Sequence, residues 1–329
     1  MIRLGLLGCG RIGQVHARSC MMSEHARLVA LSDAMPSAAE VLAARTGAEV
    51  RETGAIIAAD NIDAIIIATP TTLHFDQIHA IAAAGKAILC EKPIDLSAER
   101  AAACRDAVEA AGVPFMTAFN RRFDPSFAHI EREVRTGAVG EVEMVVITSR
   151  DPAPPPVSYI KTSGGLFRDM MIHDLDMARF LLGEEPVEVF AVGSCLVDAQ
   201  IGKAGDIDTA AVTLRTASGK LCQINNSRRA TYGYDQRIEV HGSAGMMQSA
   251  NAPRHLAVQA GGVGFTSAPT QDFFLERYAE AYSAELAHFI AALAGGGDVR
   301  PGIADGVAAQ RLADLCATSL ERGKPLVVG

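Results

Sequence analysis

Short apolar runs alternate with amphipathic stretches through the first third of the chain. Residues 3–7 read as a strand and 13–22 as a helix. Residues 28–32 read as a second strand and 37–46 as a second helix, with Pro36 at its start and Gly47 as its stop. Apart from Asp63, residues 62–68 are all Ile and Ala, too apolar to have a wet face, which predicts a strand covered on both sides. A helix over 75–84 ends at Gly85, a strand follows at 87–90, a helix over 97–111 ends at Gly112, and a strand closes the series at 114–118. Strict alternation of strand and helix predicts a doubly wound α/β domain with a parallel sheet.

The pattern changes near Phe119. A helical segment at 125–135 is followed by a strand at 141–149, a Pro-rich loop at 151–156 (DPAPPP) and a helix at 170–182 stopped by Gly183. Residues 187–192, 209–216, 220–227, 236–241 and 245–248 then read as successive strands of an open, mainly antiparallel sheet. The second and third are joined by Ala217-Ser218-Gly219, a short hairpin signal. Two helices, 273–294 and 305–322, close the chain. The expected organisation is a Rossmann-type domain at 1–118 and an α+β domain at 119–329, with no internal repeat.

Composition narrows the function. Lys plus Arg is 30 against Asp plus Glu 38, a net charge of -8, so there is no broad electrostatic reason to bind nucleic acid or anionic lipid. No apolar run approaches the ~18 residues of a membrane span. The apolar start turns into a Gly-rich loop within ten residues, unlike a signal peptide. Seven cysteines are scattered and never spaced as C-x-x-C, which predicts reduced, buried thiols in a cytoplasmic protein and no metal centre.

Gly8-Cys9-Gly10-Arg11-Ile12-Gly13 is a G-x-G-x-x-G between a strand and a helix. Its first glycine permits the tight turn, the second lets backbone approach a pyrophosphate, and the third lets helix pack on strand. The helix N-terminus offers N–H groups and a positive dipole to that anion. Asp33 lies twenty residues after Gly13 at the end of the next strand. A carboxylate there accepts hydrogen bonds from both ribose hydroxyls and repels a 2′-phosphate, which favours NAD over NADP. No Arg directly follows it; Ala34 and Met35 do.

Cys90-Glu91-Lys92-Pro93 follows another strand, and doubly wound sheets bind ligands beyond the C-terminal strand ends. Asp169 and His173 are four residues apart, so an α-helix would put them on one face. An imidazole, with an unperturbed pKa of about 6.5, suits proton transfer near neutral pH. Gly164-Gly165 leaves room beside a ligand or simply makes a turn.

The order GCGRIG, ATPTTLH, EKP and GGLFRDMMIHDLD resembles the glucose–fructose oxidoreductase/inositol dehydrogenase (Gfo/Idh/MocA) family over essentially the whole chain. The stretches AFNRRFDPSF, SRDPAPPP, SYIKTSGGLFRDMMIHD and YGYDQR look most like its inositol 2-dehydrogenases. The resemblance implies an NAD-binding Rossmann domain, a second domain with an open antiparallel sheet, and a homotetramer packed on one face of that sheet. It places the catalytic set on Lys92, Asp169 and His173. Cofactor contacts fall on Gly8, Gly10, Arg11, Ile12, Gly13, Asp33, Thr69, Pro70, His74, Glu91 and Lys92. Polar groups near the substrate fall on Asn120, Arg121, Asp151, Asp169, His173 and Tyr234. His74 also has a plain reading, as a cap on the helix that follows it. The implied activity is NAD-dependent oxidation of a cyclic polyol. Two alternatives are an aldose 1-dehydrogenase that accepts a pyranose and a non-catalytic NAD-binding sensor, which would be expected to lose the proton-transfer set.

Overall fold

The apolar runs of the first third become strands β1 (Ile2–Leu7) and β2 (Ala26–Ser32), with helix α1 (Arg11–Met22) between them. Helix α2 (Pro36–Thr46), β3 (Glu49–Val50), α3 (Thr53–Ala58), β4 (Ala64–Ile67), α4 (His74–Ala83), β5 (Ala87–Cys90), α5 (Ala98–Ala111) and β6 (Phe115–Thr117) follow. The computed structural model, which describes residues 1–329, pairs the six strands in parallel in the order β3-β2-β1-β4-β5-β6. That order reverses between β1 and β4, where open α/β sheets bind ligands.

All four residues of β4 are buried, as a strand covered on both faces must be. Ala64 and Ile66 join one apolar cluster with Leu4 and Leu6; Ile65 and Ile67 join another with Leu7 and Ile88. The two clusters are the two faces of one sheet, separated by the period of two along each strand. Sequence periodicity passes over β3 and α3, because a two-residue exposed strand and a six-residue helix are too short to carry a period.

Beyond Phe123 come α6 (Pro125–Arg135), β7 (Val142–Arg150), α7 (Val157–Ser163), α8 (Ile172–Leu182), β8 (Pro186–Ser194), α9 (Ala199–Lys203), β9 (Thr209–Thr216), β10 (Leu221–Ser227), β11 (Asp235–Gly242) and β12 (Gly245–Ser249). A hairpin of β13 (Val258–Gly261) and β14 (Gly264–Ser267) precedes α10 (Phe274–Arg277), α11 (Ala279–Gly295), α12 (Ile303–Arg322) and β15 (Leu326–Val327). One seven-stranded sheet runs β12-β11-β7-β10-β9-β8-β15. It is mostly antiparallel, but β7 and β10 pair in parallel. This fits the expected, mainly antiparallel sheet; the long connection from β7 to β10 allows one parallel return, and β7 separates β10 from β11. The expected β9–β10 hairpin forms, with Gly219 at φ +94° in its turn.

The chain divides into two units: Met1–Phe123 with Ala279–Gln310, and Asp124–Tyr278 with Arg311–Gly329. A single cut near residue 118 therefore misplaces α11. Leu286, Phe289 and Ile290 on that helix belong to the apolar cluster of Leu4 and Leu6. The helix expected over 273–294 is broken at Tyr278 into α10 and α11, on either side of the unit boundary.

Candidate active site

The turn after β1 requires glycine for two separate reasons. Gly8 has φ +95°, and a Cβ there would lie 2.5 Å from the Ala68 carbonyl oxygen. A Cβ on Gly13 would lie 2.0 Å from the Gly8 carbonyl oxygen. Gly10 is different: it is exposed, and its Cβ would meet nothing within 4 Å. The first and third glycines let β1, α1 and the β4 turn close up, and the second leaves space in front of the α1 N-terminus. No side chain caps the α1 N-terminus at Gly10, and the positive end of a helix dipole suits an anion. Asp33 Oδ2 accepts a hydrogen bond from the Cys9 N–H at 2.6 Å, and Oδ1 accepts one from the Met35 N–H at 2.8 Å. These bonds hold a half-buried carboxylate beside the glycine turn, at the end of β2. Open space before a helix N-terminus and a fixed carboxylate beside it fit the pyrophosphate and ribose of a dinucleotide.

Two further turns of the same unit carry the Thr69-Pro70 and Glu91-Lys92-Pro93 motifs, beyond β4 and β5. The Lys92–Pro93 peptide is cis. His74 is buried beneath both turns: Nδ1 is 2.9 Å from the Pro93 carbonyl oxygen and Nε2 is 2.9 Å from the Thr69 carbonyl oxygen. Burial pushes its pKa below the ordinary imidazole range, against the pull of the two carbonyls. The ring thus links the two turns and supports them from below, and the structure gives it this role instead of that of a helix cap. Arg11 is exposed, and Ile12, Thr69 and Lys92 are half-buried.

Glu91 is buried and meets His16 of α1 at 2.8 Å. Tyr282 of α11 packs edge-on to the His16 ring at 5.9 Å. Glu285, one turn further along α11, is fully buried. Burial, and then the nearby Glu91 charge, raise its pKa well above the ordinary carboxylate range. Neither His16 nor Glu285 stands out in the sequence, since each occurs singly on a helix with no motif around it.

Asp169 and His173 lie in the other unit. Residues Phe167–Met171 form a π-helical turn that runs directly into α8. Asp169 sits on that wider turn and His173 in the first turn of α8, so the simple α-helical spacing does not describe them. Both side chains are half-buried, whereas Asp174 and Asp176 in the same acidic stretch are buried and structural. Asp174 accepts from Ser149 Oγ at 2.6 Å and from Asn226 Nδ2 at 2.8 Å. Asp169 Oδ1 accepts from the Tyr159 hydroxyl at 2.8 Å, and Oδ2 faces the buried Arg228 guanidinium at 3.3 Å. Tyr159 stands on α7, a helix hidden in the sequence behind the Pro-rich loop. Arg228 belongs to an Arg-Arg pair that reads as surface charge.

The remaining predicted positions divide by unit. Asn120 and Arg121 are buried in a short 3-10 turn of the first unit. Asp151 is half-buried at the end of β7, its N–H donating to the Ser227 carbonyl at 2.9 Å. Tyr234 is buried edge-on against Phe273 and Tyr278, with ring centroids 6.1 Å away in both cases.

Residues 2–119 match the family model described as an oxidoreductase family with an NAD-binding Rossmann fold, and residues 127–248 match the GFO/IDH/MocA C-terminal domain. Inositol 2-dehydrogenase of Rhizobium meliloti (strain 1021) is 54% identical over 328 residues, 99% of each chain. The crystal structure of a myo-inositol dehydrogenase from Corynebacterium glutamicum ATCC 13032 has a TM-score of 0.97 and 42% identity, and covers 100% of this chain and 99% of that one. Scyllo-inositol dehydrogenase from Lactobacillus casei, solved with bound NAD(H) and scyllo-inositol, has a TM-score of 0.92 and 29% identity, covering 100% and 99%. With both family models matched and a full-length relative at 54% identity, the chain belongs to the GFO/IDH/MocA family of oxidoreductases.

Proposed function

We propose that this protein is an NAD-dependent inositol dehydrogenase that oxidises one secondary alcohol of myo- or scyllo-inositol to the inosose. The observation that carries the reading is a carboxylate at residue 33 locked beside an open glycine cradle, in a chain 54% identical to an inositol 2-dehydrogenase. Bound NAD supplies the hydride acceptor, which no side chain can provide. Gly8, Gly10, Gly13 and Asp33 bind and orient it, with Arg11, Ile12, Thr69, Pro70 and Glu91 as further contacts. His74 acts beneath them through the Thr69 and Pro93 carbonyls.

The chain's own chemistry is proton transfer and orientation. The His173 imidazole takes the hydroxyl proton of the reacting alcohol. Lys92 Nζ donates a hydrogen bond to the same oxygen and stabilises its developing negative charge. Asp169 accepts hydrogen bonds from substrate hydroxyls, with Asn120, Arg121 and Asp151 as further polar contacts. Tyr234 supports that region from its buried aromatic cluster. Seven unpaired cysteines, six of them buried, support a reducing cytoplasmic setting. The open face of the seven-stranded sheet is read as a homotetramer interface.

The test is NADH formation with myo-inositol, scyllo-inositol and D-glucose, each with NAD and NADP. Turnover of an inositol with NAD is expected to dominate, and efficient turnover of glucose alone would overturn the substrate assignment. His173→Ala should lose about 10²–10⁴-fold in kcat, the usual cost of removing a positioned acid or base, with NADH affinity retained. Wild-type turnover in that variant would remove His173 from the role.

A further inference from the structure

Arg228 is only 1% exposed, although its neighbour Arg229 is exposed. Its guanidinium places Nη1 3.3 Å and Nη2 3.4 Å from Asp169 Oδ2, and Nη2 also lies 3.6 Å from Asp206 Oδ2. Asp206 in turn reaches the start of the π turn, where Oδ1 accepts from the Leu166 N–H at 3.0 Å. Gly165 just before it has φ +85°, and a Cβ there would come 2.9 Å from the same Oδ1. Asp206 therefore grips both the backbone entering the π turn and the arginine that grips its middle.

A guanidinium does not lose its proton in a protein. Burying it is costly unless its charge is paired, and removing one partner leaves the other uncompensated. Core packing alone would be met more cheaply by an apolar side chain. What the cation adds is a fixed positive charge on one oxygen of Asp169, while the Tyr159 hydroxyl donates to the other at 2.8 Å. With both oxygens engaged, the Asp169 carboxylate is held in one orientation, as a hydrogen-bond acceptor for substrate.

We propose that Arg228, braced by Asp206, is a positioning residue that aims the Asp169 carboxylate at the polyol. The proposal rests on the reading of Asp169 and His173 as substrate-facing groups. It assigns Asp169 to orientation and leaves the proton to His173.

The experiment compares Arg228→Lys, Arg228→Met, Arg228→Ala, Asp206→Asn and Asp169→Asn in the full chain. It measures kcat and KM for inositol, NADH affinity by calorimetry, and thermal melting. Misplacing a reacting geometry by about an ångström costs about 100-fold, so Arg228→Met should lose kcat on that scale and raise the inositol KM, with NADH affinity unchanged; its melting temperature should fall, because Asp169 and Asp206 lose their buried partner. Arg228→Lys should recover part of the loss. Added guanidinium ion, and not urea, should restore part of the turnover of Arg228→Ala, which a role in packing alone would not produce. Wild-type kcat and KM in Arg228→Met, with Asp169→Asn inactive, would overturn this inference and leave the site reading standing. Wild-type turnover in Asp169→Asn would overturn both. Should Arg228→Met fail to fold, Asp206→Asn decides: lowered kcat at unchanged NADH affinity supports the proposal, and wild-type kcat refutes it.

Discussion

Asp33 shows how one side chain serves two purposes. Its carboxylate organises the glycine turn through the Cys9 N–H and, under the proposed function, binds the ribose of NAD. Asp33→Ser combined with Ala34→Arg removes the repulsion toward a 2′-phosphate and supplies a cation, so the ratio of NADP to NAD turnover should rise; steady-state kinetics with both cofactors checks this. Because the turn also loses a charged hydrogen bond, affinity for both cofactors should fall. Glu285 makes a pH prediction. Its folded pKa is raised well above 4.5, first by burial and then by Glu91. The folded state therefore keeps a proton that the unfolded state gives up above about 4.5, and stability attributable to this group falls as pH rises from there toward the folded pKa. Glu285→Gln should remove that penalty: melting temperature relative to wild type should shift in the variant's favour between pH 5 and pH 8. A difference in melting temperature independent of pH would show that Glu285 is not held neutral.

Among the elements, α6 illustrates how a local signal acquires a tertiary partner. Asp124 caps the helix by accepting from the Ser126 and Phe127 N–H groups at 3.1 Å, with Pro125 in the first turn. Asp124 is also 1% exposed and pairs with Arg277 of α10, itself nearly buried and stacked near the Phe127 and Tyr278 rings. Loss of a cap costs ~1 kcal/mol. Stranding a buried guanidinium costs about 3–5 kcal/mol. The second effect dominates, so Asp124→Ala should destabilise the protein by about 3–5 kcal/mol, measured by urea unfolding. A loss near 1 kcal/mol would reduce Asp124 to its capping role. Asp124 and Pro125 make the helix start from adjacent residues, whereas the arginine comes from 153 residues away.

For the whole molecule, the seven-stranded sheet leaves one face uncovered. Along β9, residues alternate between buried and exposed, and Ala211, Thr213 and Arg215 point outward. Val192 pairs with Ala211 and Phe190 with Thr213, and both apolar side chains are exposed on the same face. Under the tetramer reading, Phe190→Glu with Val192→Glu should lower the mass measured by light scattering while the chain stays folded. An unchanged tetramer would move the interface elsewhere.

The sequence by itself determined the elements with a strong period, the parallel order of the first sheet's units, the glycine cradle with its aspartate, and the residues bearing the family's motifs. Each of these is a local property: spacing, turn chemistry, or an apolar run too long to face water. Tertiary structure alone decided that α11 completes the first unit's core, that β7 and β10 run parallel, and that Asp169 stands on a π turn. It also decided that His74 joins two turns and that Arg228 is buried against Asp169. These outcomes depend on burial and on contacts between distant residues, and a lone histidine or arginine carries no mark in the chain of which neighbour will take it out of water.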